Sequence, residues 1–147
     1  MQNRITEFRL GIDRFRRGAY AVAEPNEARC GVTTLIFKIE SADVWRAAEA
    51  AGVYTGAPVD KADGFIHFSA GDQIAGTLEK HFAGRTGLVL IAFDADALGS
   101  DLHWEVSRAG ALFPHLYADL KPDLAIGLRP IPDSHDLVGF ADWGIEI

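Results

Sequence analysis

A chain of 147 residues with 48% hydrophobic and 10% aromatic content has the size and composition of one soluble globular domain. The single cysteine, Cys30, excludes an internal disulfide, and no Cys/His spacing indicates structural zinc, so a reducing, cytoplasmic setting is expected. A net charge of −7, and the lack of any apolar stretch near the roughly 18 residues that span a bilayer, argue against nucleic acid and membranes as partners.

The first 31 residues differ in charge from the rest of the chain. They carry six arginines and four acidic residues, whereas the remainder carries eight basic and seventeen acidic side chains. Apolar residues recur at helical spacing between residues 5 and 15, and the turn-rich stretch AEPNEARCG follows at residues 23–31. We therefore expect residues 1–32 to be a loosely packed or disordered extension, and residues 33–147 to form a single α+β domain.

The domain is predicted to begin with a strand that leads into a helix. TLIFKIE, at residues 34–40, is rich in residues that favour strands. Ser41 is placed to cap the Ala-rich helix ADVWRAAEAA, at residues 42–51, which Gly52 ends.

A second strand and helix are predicted after a loop at residues 54–64. FIHFS, at residues 65–69, reads as one strand. Ser69 stands three residues before Asp72, a spacing typical of a helix start, so Ser69 is first of all a candidate cap. A helix is then predicted over residues 71–84, and its buried face carries Ile74, Leu78 and Phe82 at helical spacing.

The remaining segments are predicted to be mostly strands. The apolar run GLVLIAFDA, at residues 87–95, suits a central strand, and a turn follows it. Three further strands are predicted, and they are LHWEVS at residues 102–107, LFPHLYADL at residues 112–120 and LAIGLRPI at residues 124–131.

Three predicted strands each carry a histidine followed two residues later by a second polar side chain. Because residues i and i+2 of a strand share a face, each strand presents one polar and one apolar face. The apolar faces, Trp104 and Val106 among them, are expected to pack against the core. If the strands are neighbours, the polar faces converge on one surface. The polar pairs are His67 with Ser69, His103 with Glu105, and His115 with Tyr117.

These side chains suit several kinds of site. Imidazole transfers protons near neutral pH, a carboxylate acts as a base or binds ribose hydroxyls, and tyrosine offers a stacking face, so the set suits a nucleotide or sugar. Three histidines with Glu105 could instead bind a divalent metal in a hydrolase. The pocket could also belong to a non-catalytic binding module. Each histidine taken singly could be structural, since an antiparallel sheet commonly has one wet face.

Five stretches carry a resemblance to a known family. LIFKI, DGFIHFS, LVLIAFD, LHWEVSR and FPHLYADL, in that order over residues 34–125, resemble the bacterial domain-of-unknown-function family 952. That family is similar to the ADP-ribosyltransferase-like superfamily, in which a split β-sheet with flanking helices forms a cleft for NAD or a related ADP-ribose donor. The resemblance implies a split, mostly antiparallel sheet with two flanking helices.

The resemblance also implies an activity and roles for individual residues. We expect a small-molecule or nucleotide ligand, with NAD as a candidate substrate for ADP-ribosyl transfer or glycohydrolysis, and no resident metal. Glu105 would stabilise positive charge at the anomeric carbon, and His115 would transfer protons. The expected catalytic residues are His67, Glu105 and His115, and the expected nucleotide contacts are Lys38, Ser69, Arg108 and Tyr117.

Overall fold

The computed structural model describes residues 33–145, without the side chain of Arg108. The predicted extension, residues 1–32, lies outside the described residues. The described chain is a mixed α+β fold, as predicted, and all its neighbouring strands are antiparallel. The strands are β1 (Leu35–Ser41), β2 (Ile66–His67), β3 (Ser69–Ala70), β4 (Leu88–Asp94), β5 (Leu102–Val106), β6 (Leu112–Leu116) and β7 (Gly127–Pro130).

Among residues 33–145 there are three α-helices, where two were predicted. Short 3₁₀ helices cover much of the remaining chain. None of these described helices is long and apolar enough to cross a membrane. The α-helices are α1 (Ala42–Ala51), α2 (Pro58–Asp63) and α3 (Ile74–His81), and the 3₁₀ helices are Gly71–Gln73, Ala95–Asp101, Arg108–Gly110, Pro122–Leu124 and Val138–Trp143.

The strands form two sheets. One has four strands in the order β3-β1-β4-β7, and the other has three in the order β2-β6-β5. Strand β4 pairs with β1 on one side and β7 on the other, and every residue except its last is buried. This confirms the prediction of a central strand, because a strand covered on both faces needs an unbroken apolar run.

Helix α1 has the predicted bounds and the predicted ends. The Ser41 hydroxyl accepts a hydrogen bond from the Val44 backbone N–H at 3.4 Å. Gly52 ends the helix at a φ of 82°, a left-handed conformation that glycine adopts without strain. The buried face of the helix carries Trp45 and Ala48, which belong to the hydrophobic cluster on one face of the four-stranded sheet.

The stretch FIHFS is not one strand, as predicted, but two short strands in different sheets. Ile66–His67 pairs with β6, whereas Ser69–Ala70 pairs with β1. Phe68 lies between them, and its backbone N–H donates to the Pro114 carbonyl at 3.0 Å. Its buried ring packs edge-on against Phe93. The chain passes from one sheet to the other at this residue, so the two sheets are joined by a split strand.

The predicted loop at residues 54–64 contains helix α2, so that prediction is wrong. Pro58 occupies the first turn, where its missing N–H costs nothing. The Asp60 carboxylate accepts from the Ala57 backbone N–H at 2.8 Å, and Gly64 ends the helix at a φ of 90°. The sequence does contain the residues that start and end a helix, namely Pro58, Asp60 and Gly64. The helix between them has only six residues, which is too short to show a helical periodicity of apolar residues.

The second predicted helix is also shorter than expected. A 3₁₀ turn precedes α3, and the side chain of Gln73 accepts from the Ala70 backbone N–H at 2.8 Å. Ser69 is therefore not the cap that its spacing indicated. The buried face is confirmed at Ile74 and Leu78, whereas Phe82 is only half-buried.

Strand β5 lies at the edge of the three-stranded sheet, which overturns one prediction about its faces. Trp104 and Val106 were expected in the core, but they are 40% and 71% exposed. Because β5 pairs only with β6, and no layer packs over its outer face among the described residues, both of its faces are largely solvent-accessible.

The four-stranded sheet carries a hydrophobic cluster on each face. Residues of β1 alternate between them, so Phe37 and Ile39 face one cluster while Ile36 faces the other. Lys38 and Glu40 share the face of Ile36, and both are buried. Two charged side chains of β1 therefore enter the apolar layer that also contains residues of the three-stranded sheet.

Candidate functional site

Three histidines form a row across one face of the three-stranded sheet. His115, on the central strand β6, pairs with His67 on β2 and with His103 on β5. Directly paired residues of antiparallel strands point to the same face. The strands that carry the three predicted polar faces are therefore neighbours, and the structure brings these histidines together.

His115 is held by a carboxylate that also accepts a hydrogen bond from a tyrosine. Its Nδ1 lies 2.7 Å from Glu105 Oε1, and the Tyr117 hydroxyl donates to the same oxygen at 2.8 Å. The hydrogen bond from His115, followed by that from Tyr117, lowers the pKa of Glu105, so this carboxyl is ionised at neutral pH. An ionised carboxylate only accepts hydrogen bonds, so Nδ1 carries a proton, and in the neutral ring the lone pair is on Nε2.

His67 lies between two aspartates. Its Nδ1 is 2.6 Å from Asp60 Oδ1, and its Nε2 is 3.0 Å from Asp63 Oδ2. The His67 backbone N–H also donates to Asp60 Oδ1, at 3.1 Å. The ring is one-third exposed, whereas Asp60 is almost fully buried. One ring nitrogen therefore contacts a buried carboxylate and the other contacts a carboxylate at the surface.

Asp60 belongs to a set of buried polar residues that we call the interior polar cluster, formed by Lys38, Glu40, Tyr54 and Asp60. Lys38 Nζ lies 3.0 Å from Asp60 Oδ2 and 3.1 Å from the His67 carbonyl oxygen. Burial alone would raise the pKa of Asp60, but the hydrogen bond from His67 and the charge of Lys38 outweigh it and hold that pKa well below its usual range.

The other half of the interior polar cluster is a tyrosine bound to a glutamate. The Tyr54 hydroxyl donates a short hydrogen bond to Glu40 Oε2 and lies 3.5 Å from Asp60 Oδ2. Glu40 Oε1 accepts from the Ser41 backbone N–H at 2.7 Å. Burial, followed by the bond to Glu40, raises the pKa of Tyr54 far above its usual value, so the phenol keeps its proton. Both carboxylates of the cluster are thus satisfied by named donors.

Phe65 packs among the rings of the site. Its ring stacks on His115 with 4.1 Å between centroids, and it lies 4.7 Å from the His67 ring and 5.1 Å from the Tyr117 ring. A solvent-open cleft of about 240 Å³ borders this group on the side of Phe65 and Tyr117. Its lining residues are Thr55, Asp60, Lys61, Gly64, Phe65, Ile66, Leu116, Tyr117, Ala118 and Asp119.

The structure directs two of the predicted nucleotide contacts, Ser69 and Lys38, away from the cleft. Ser69 lies in the four-stranded sheet, and its hydroxyl bonds to Thr77 at 3.1 Å instead of sharing a face with His67. Lys38 faces the interior and not the cleft. The side chain of Arg108 lies outside the described part of the structure. His67, Glu105, His115 and Tyr117 lie together.

Two residues that the sequence interpretation passed over are central to the site. Asp60 and Phe65 fall in or beside the segment that was predicted to be loop. A signal for the helix that carries Asp60 was available, because proline at the first helical position followed by an acidic side chain in the first turn is typical of a helix start. Phe65 had no comparable signal, since its role depends on the ring of His115, fifty residues further along the chain.

The low pKa of Asp60 predicts an acid-dependent stability. A carboxyl whose pKa is lower in the folded protein stabilises it above the unfolded pKa, and that stability is lost as the pH falls towards the folded value. We expect the free energy of unfolding to decrease more steeply in the wild type than in Asp60→Asn as the pH falls from about 5 to about 2. Urea denaturation at several pH values measures this. Asp43→Asn, which changes an exposed carboxylate, should keep the wild-type slope; equal slopes for wild type and Asp60→Asn would contradict the prediction.

Comparison with known proteins identifies similar chains. A family model described as "Protein of unknown function (DUF952)" matches residues 39–127, which include the histidine row and Asp60. The X-ray crystal structure of protein CC0527 from Caulobacter crescentus is 50% identical, with a TM-score of 0.65 over 66% of this chain and 85% of that chain. The solution NMR structure of CC0527 is 49% identical, with a TM-score of 0.61 over 67% of this chain and 84% of that chain. Comparison with curated proteins gives no match.

Proposed function

The chain belongs to the DUF952 family of proteins of unknown function, and we propose that it binds NAD or a related ADP-ribose-type nucleotide and acts as an ADP-ribosyl transferase or glycohydrolase. The observation that carries this proposal is the ionised Glu105 bonded to His115 at 2.7 Å, with the Phe65 ring stacked on that histidine. The proposal also places the two antiparallel sheets, joined by a split strand, in the ADP-ribosyltransferase-like superfamily.

The cleft has the chemistry that attracts a cationic aromatic ring. Phe65 and Tyr117 line it with aromatic faces, and the exposed Asp119 adds a carboxylate, whereas Asp60 is already paired with Lys38. Ring faces and carboxylates both attract positive charge, and the nicotinamide ring of NAD⁺ is a planar cation. The cleft therefore favours the nicotinamide half of the nucleotide, in contrast to a site for a bare phosphate, which needs several cations.

Glu105 and His115 can carry the proposed reaction. The bond between ribose C1′ and the nicotinamide nitrogen breaks, and its electron pair leaves with nicotinamide, which departs as a neutral molecule. The Glu105 carboxylate stabilises the positive charge that develops on the ribose. An acceptor hydroxyl, or water in a glycohydrolase, attacks C1′ and gives its proton to His115 Nε2, which carries the lone pair.

The diphosphate needs a cation other than Lys38. Lys38 is 5% exposed, and its ammonium is already bonded to Asp60 and to the His67 carbonyl. Lys61 lines the cleft and is exposed. In this proposal Lys61 contacts the diphosphate, and a single lysine in an acidic surrounding accounts for modest affinity.

A comparison of oxidised and reduced nucleotide tests the proposal. At 100 times its dissociation constant, NAD⁺ is expected to raise the free energy of unfolding by about 2.7 kcal/mol. NADH, whose dihydronicotinamide ring is neutral, should bind more weakly, because the attraction between a cation and the acidic aromatic cleft is lost. Thermal shift with NAD⁺, NADH, ADP-ribose and AMP measures this. No shift with NAD⁺, or an equal shift with NADH, would contradict the proposed ring site.

The same samples separate the two alternatives. Among residues 33–145, no group of three or more His, Cys, Asp or Glu side chains is arranged to hold a metal ion. One zinc per chain in protein purified without chelator, lost in His103→Ala or His115→Ala, would nevertheless favour a metal-assisted hydrolase. Binding of NAD⁺ without release of nicotinamide would favour a non-catalytic binding module.

A further inference from the structure

The ion pair between Lys38 and Asp60 is buried, although removing two charges from water costs free energy. Lys38 is 5% exposed and Asp60 is 2% exposed. Removing two charges from water costs about as much as their attraction returns, so apolar residues of similar volume often serve stability equally well. Stability alone therefore explains poorly why a β-strand of the core carries a lysine at this position.

The contacts of the pair converge on His67. Asp60 uses Oδ2 for Lys38 and for the Ala57 backbone N–H, and it uses Oδ1 for the ring and the backbone N–H of His67. Lys38 also donates to the His67 carbonyl oxygen. The backbone of His67 is thus held at its N–H and its carbonyl, while the ring is held at Nδ1.

We propose that Lys38 and Asp60 are positioning residues that fix the orientation and the tautomer of His67. Lys38 holds the carboxylate ionised and in place, and the carboxylate keeps the proton on Nδ1. Nε2 of the ring faces a second carboxylate, Asp63, at 3.0 Å. Asp63 is 48% exposed, so water competes for that contact, whereas Asp60 is buried and closer; in the neutral ring Asp60 therefore decides which nitrogen keeps the proton. This inference rests on the proposed function, in which His67, whose ring lies 4.7 Å from that of Phe65, contacts the nicotinamide ring. It concerns the histidine ring in the protein without ligand.

An Asp60→Asn variant tests the proposal, because an amide has one oxygen and one NH₂ group. Lys38 and the Ala57 N–H are both donors, so the amide oxygen is expected to face them and the NH₂ group to face His67. Nδ1 can then only accept a hydrogen bond, so the ring proton moves to Nε2. A purely structural role for the pair gives no reason for this change of tautomer.

Glu40→Gln provides the matched control. It removes the other buried carboxylate of the interior polar cluster, and Glu40 bonds to Tyr54 and to the Ser41 N–H, with no hydrogen bond to His67. Both variants therefore neutralise one buried acid on the same side of the sheet. They differ in whether that acid touches the histidine.

Nitrogen-15 correlation spectra of the histidine rings, recorded at pH 8 on the full chain without ligand, report which ring nitrogen carries the proton. We expect Nδ1–H at His67 in the wild type and in Glu40→Gln, and Nε2–H in Asp60→Asn, with His115 unchanged in all three. A wild-type His67 that is not protonated at Nδ1 would overturn the proposal without any variant. So would a folded Asp60→Asn that keeps the wild-type pattern.

A second measurement connects positioning to binding. Asp60→Asn is expected to weaken NAD⁺ binding about tenfold, the loss of one well-oriented hydrogen bond, while Glu40→Gln leaves it unchanged. Because the spectra are recorded without nucleotide, they test the positioning role independently of the proposed function. Absence of NAD⁺ binding in the wild type overturns the proposed function, whereas an unchanged His67 ring in Asp60→Asn overturns the positioning role.

Discussion

Lys38→Met is expected to lower the free energy of unfolding by about 3–5 kcal/mol. The substitution keeps the length of the side chain but leaves the Asp60 carboxylate buried without its cation, 3.0 Å from where the ammonium stood. An uncompensated buried charge costs far more than the lost attraction of an exposed pair. Urea denaturation at pH 7, followed by circular dichroism, measures the change.

Two controls separate burial from simple loss of a lysine. Lys61→Met changes an exposed lysine and should shift stability by no more than about 0.5 kcal/mol. The double variant Lys38→Met with Asp60→Leu replaces the whole pair by apolar groups and should recover part of the loss. Recovery will be incomplete, since Asp60 also accepts from Ala57 and His67. A single Lys38→Met variant as stable as the wild type would show that the ion pair contributes nothing.

His67→Ala is expected to abolish the stabilisation by NAD⁺ while the unliganded protein stays folded. The ring is one-third exposed, so its removal leaves no large cavity in the core. Asp60 keeps its bonds to Lys38 and to the His67 backbone N–H, because neither depends on the imidazole. Thermal unfolding with and without NAD⁺ at 100 times the wild-type dissociation constant measures both effects in one experiment.

His135→Ala is the matched control for His67→Ala. His135 is also half-buried, and its ring bonds to the Arg85 carbonyl oxygen at 2.7 Å and not to a residue of the histidine row. This variant should keep the full response to NAD⁺. If His67→Ala unfolds the protein, or if it responds to NAD⁺ as the wild type does, the imidazole is a structural group and its proposed contact with the nucleotide is wrong.

Local signals were sufficient for the elements whose ends and faces are set within a few residues. Ser41 and Gly52 determine the ends of α1 because a side-chain cap and a left-handed glycine act on the adjacent turn. The apolar run of β4 identified a strand covered on both faces. The same reasoning failed at FIHFS, because its alternating pattern continues without a break while the backbone changes its partner strand at Phe68.

The histidines could be recognised from the sequence because a polar ring inside an apolar strand is conspicuous and alternation assigns it a face. Their convergence followed only from the strand order β2-β6-β5 and its register. The interior polar cluster could not be predicted from the sequence, since Lys38 and Asp60 are 22 residues apart and a lysine in an alternating strand ordinarily faces solvent. The sequence by itself thus determined the α+β class, α1, β4 and the candidate histidines, because hydrogen bonds and periodicity within one segment specify them. Only the tertiary structure decided which carboxylate holds each ring, because those contacts depend on which strands become neighbours.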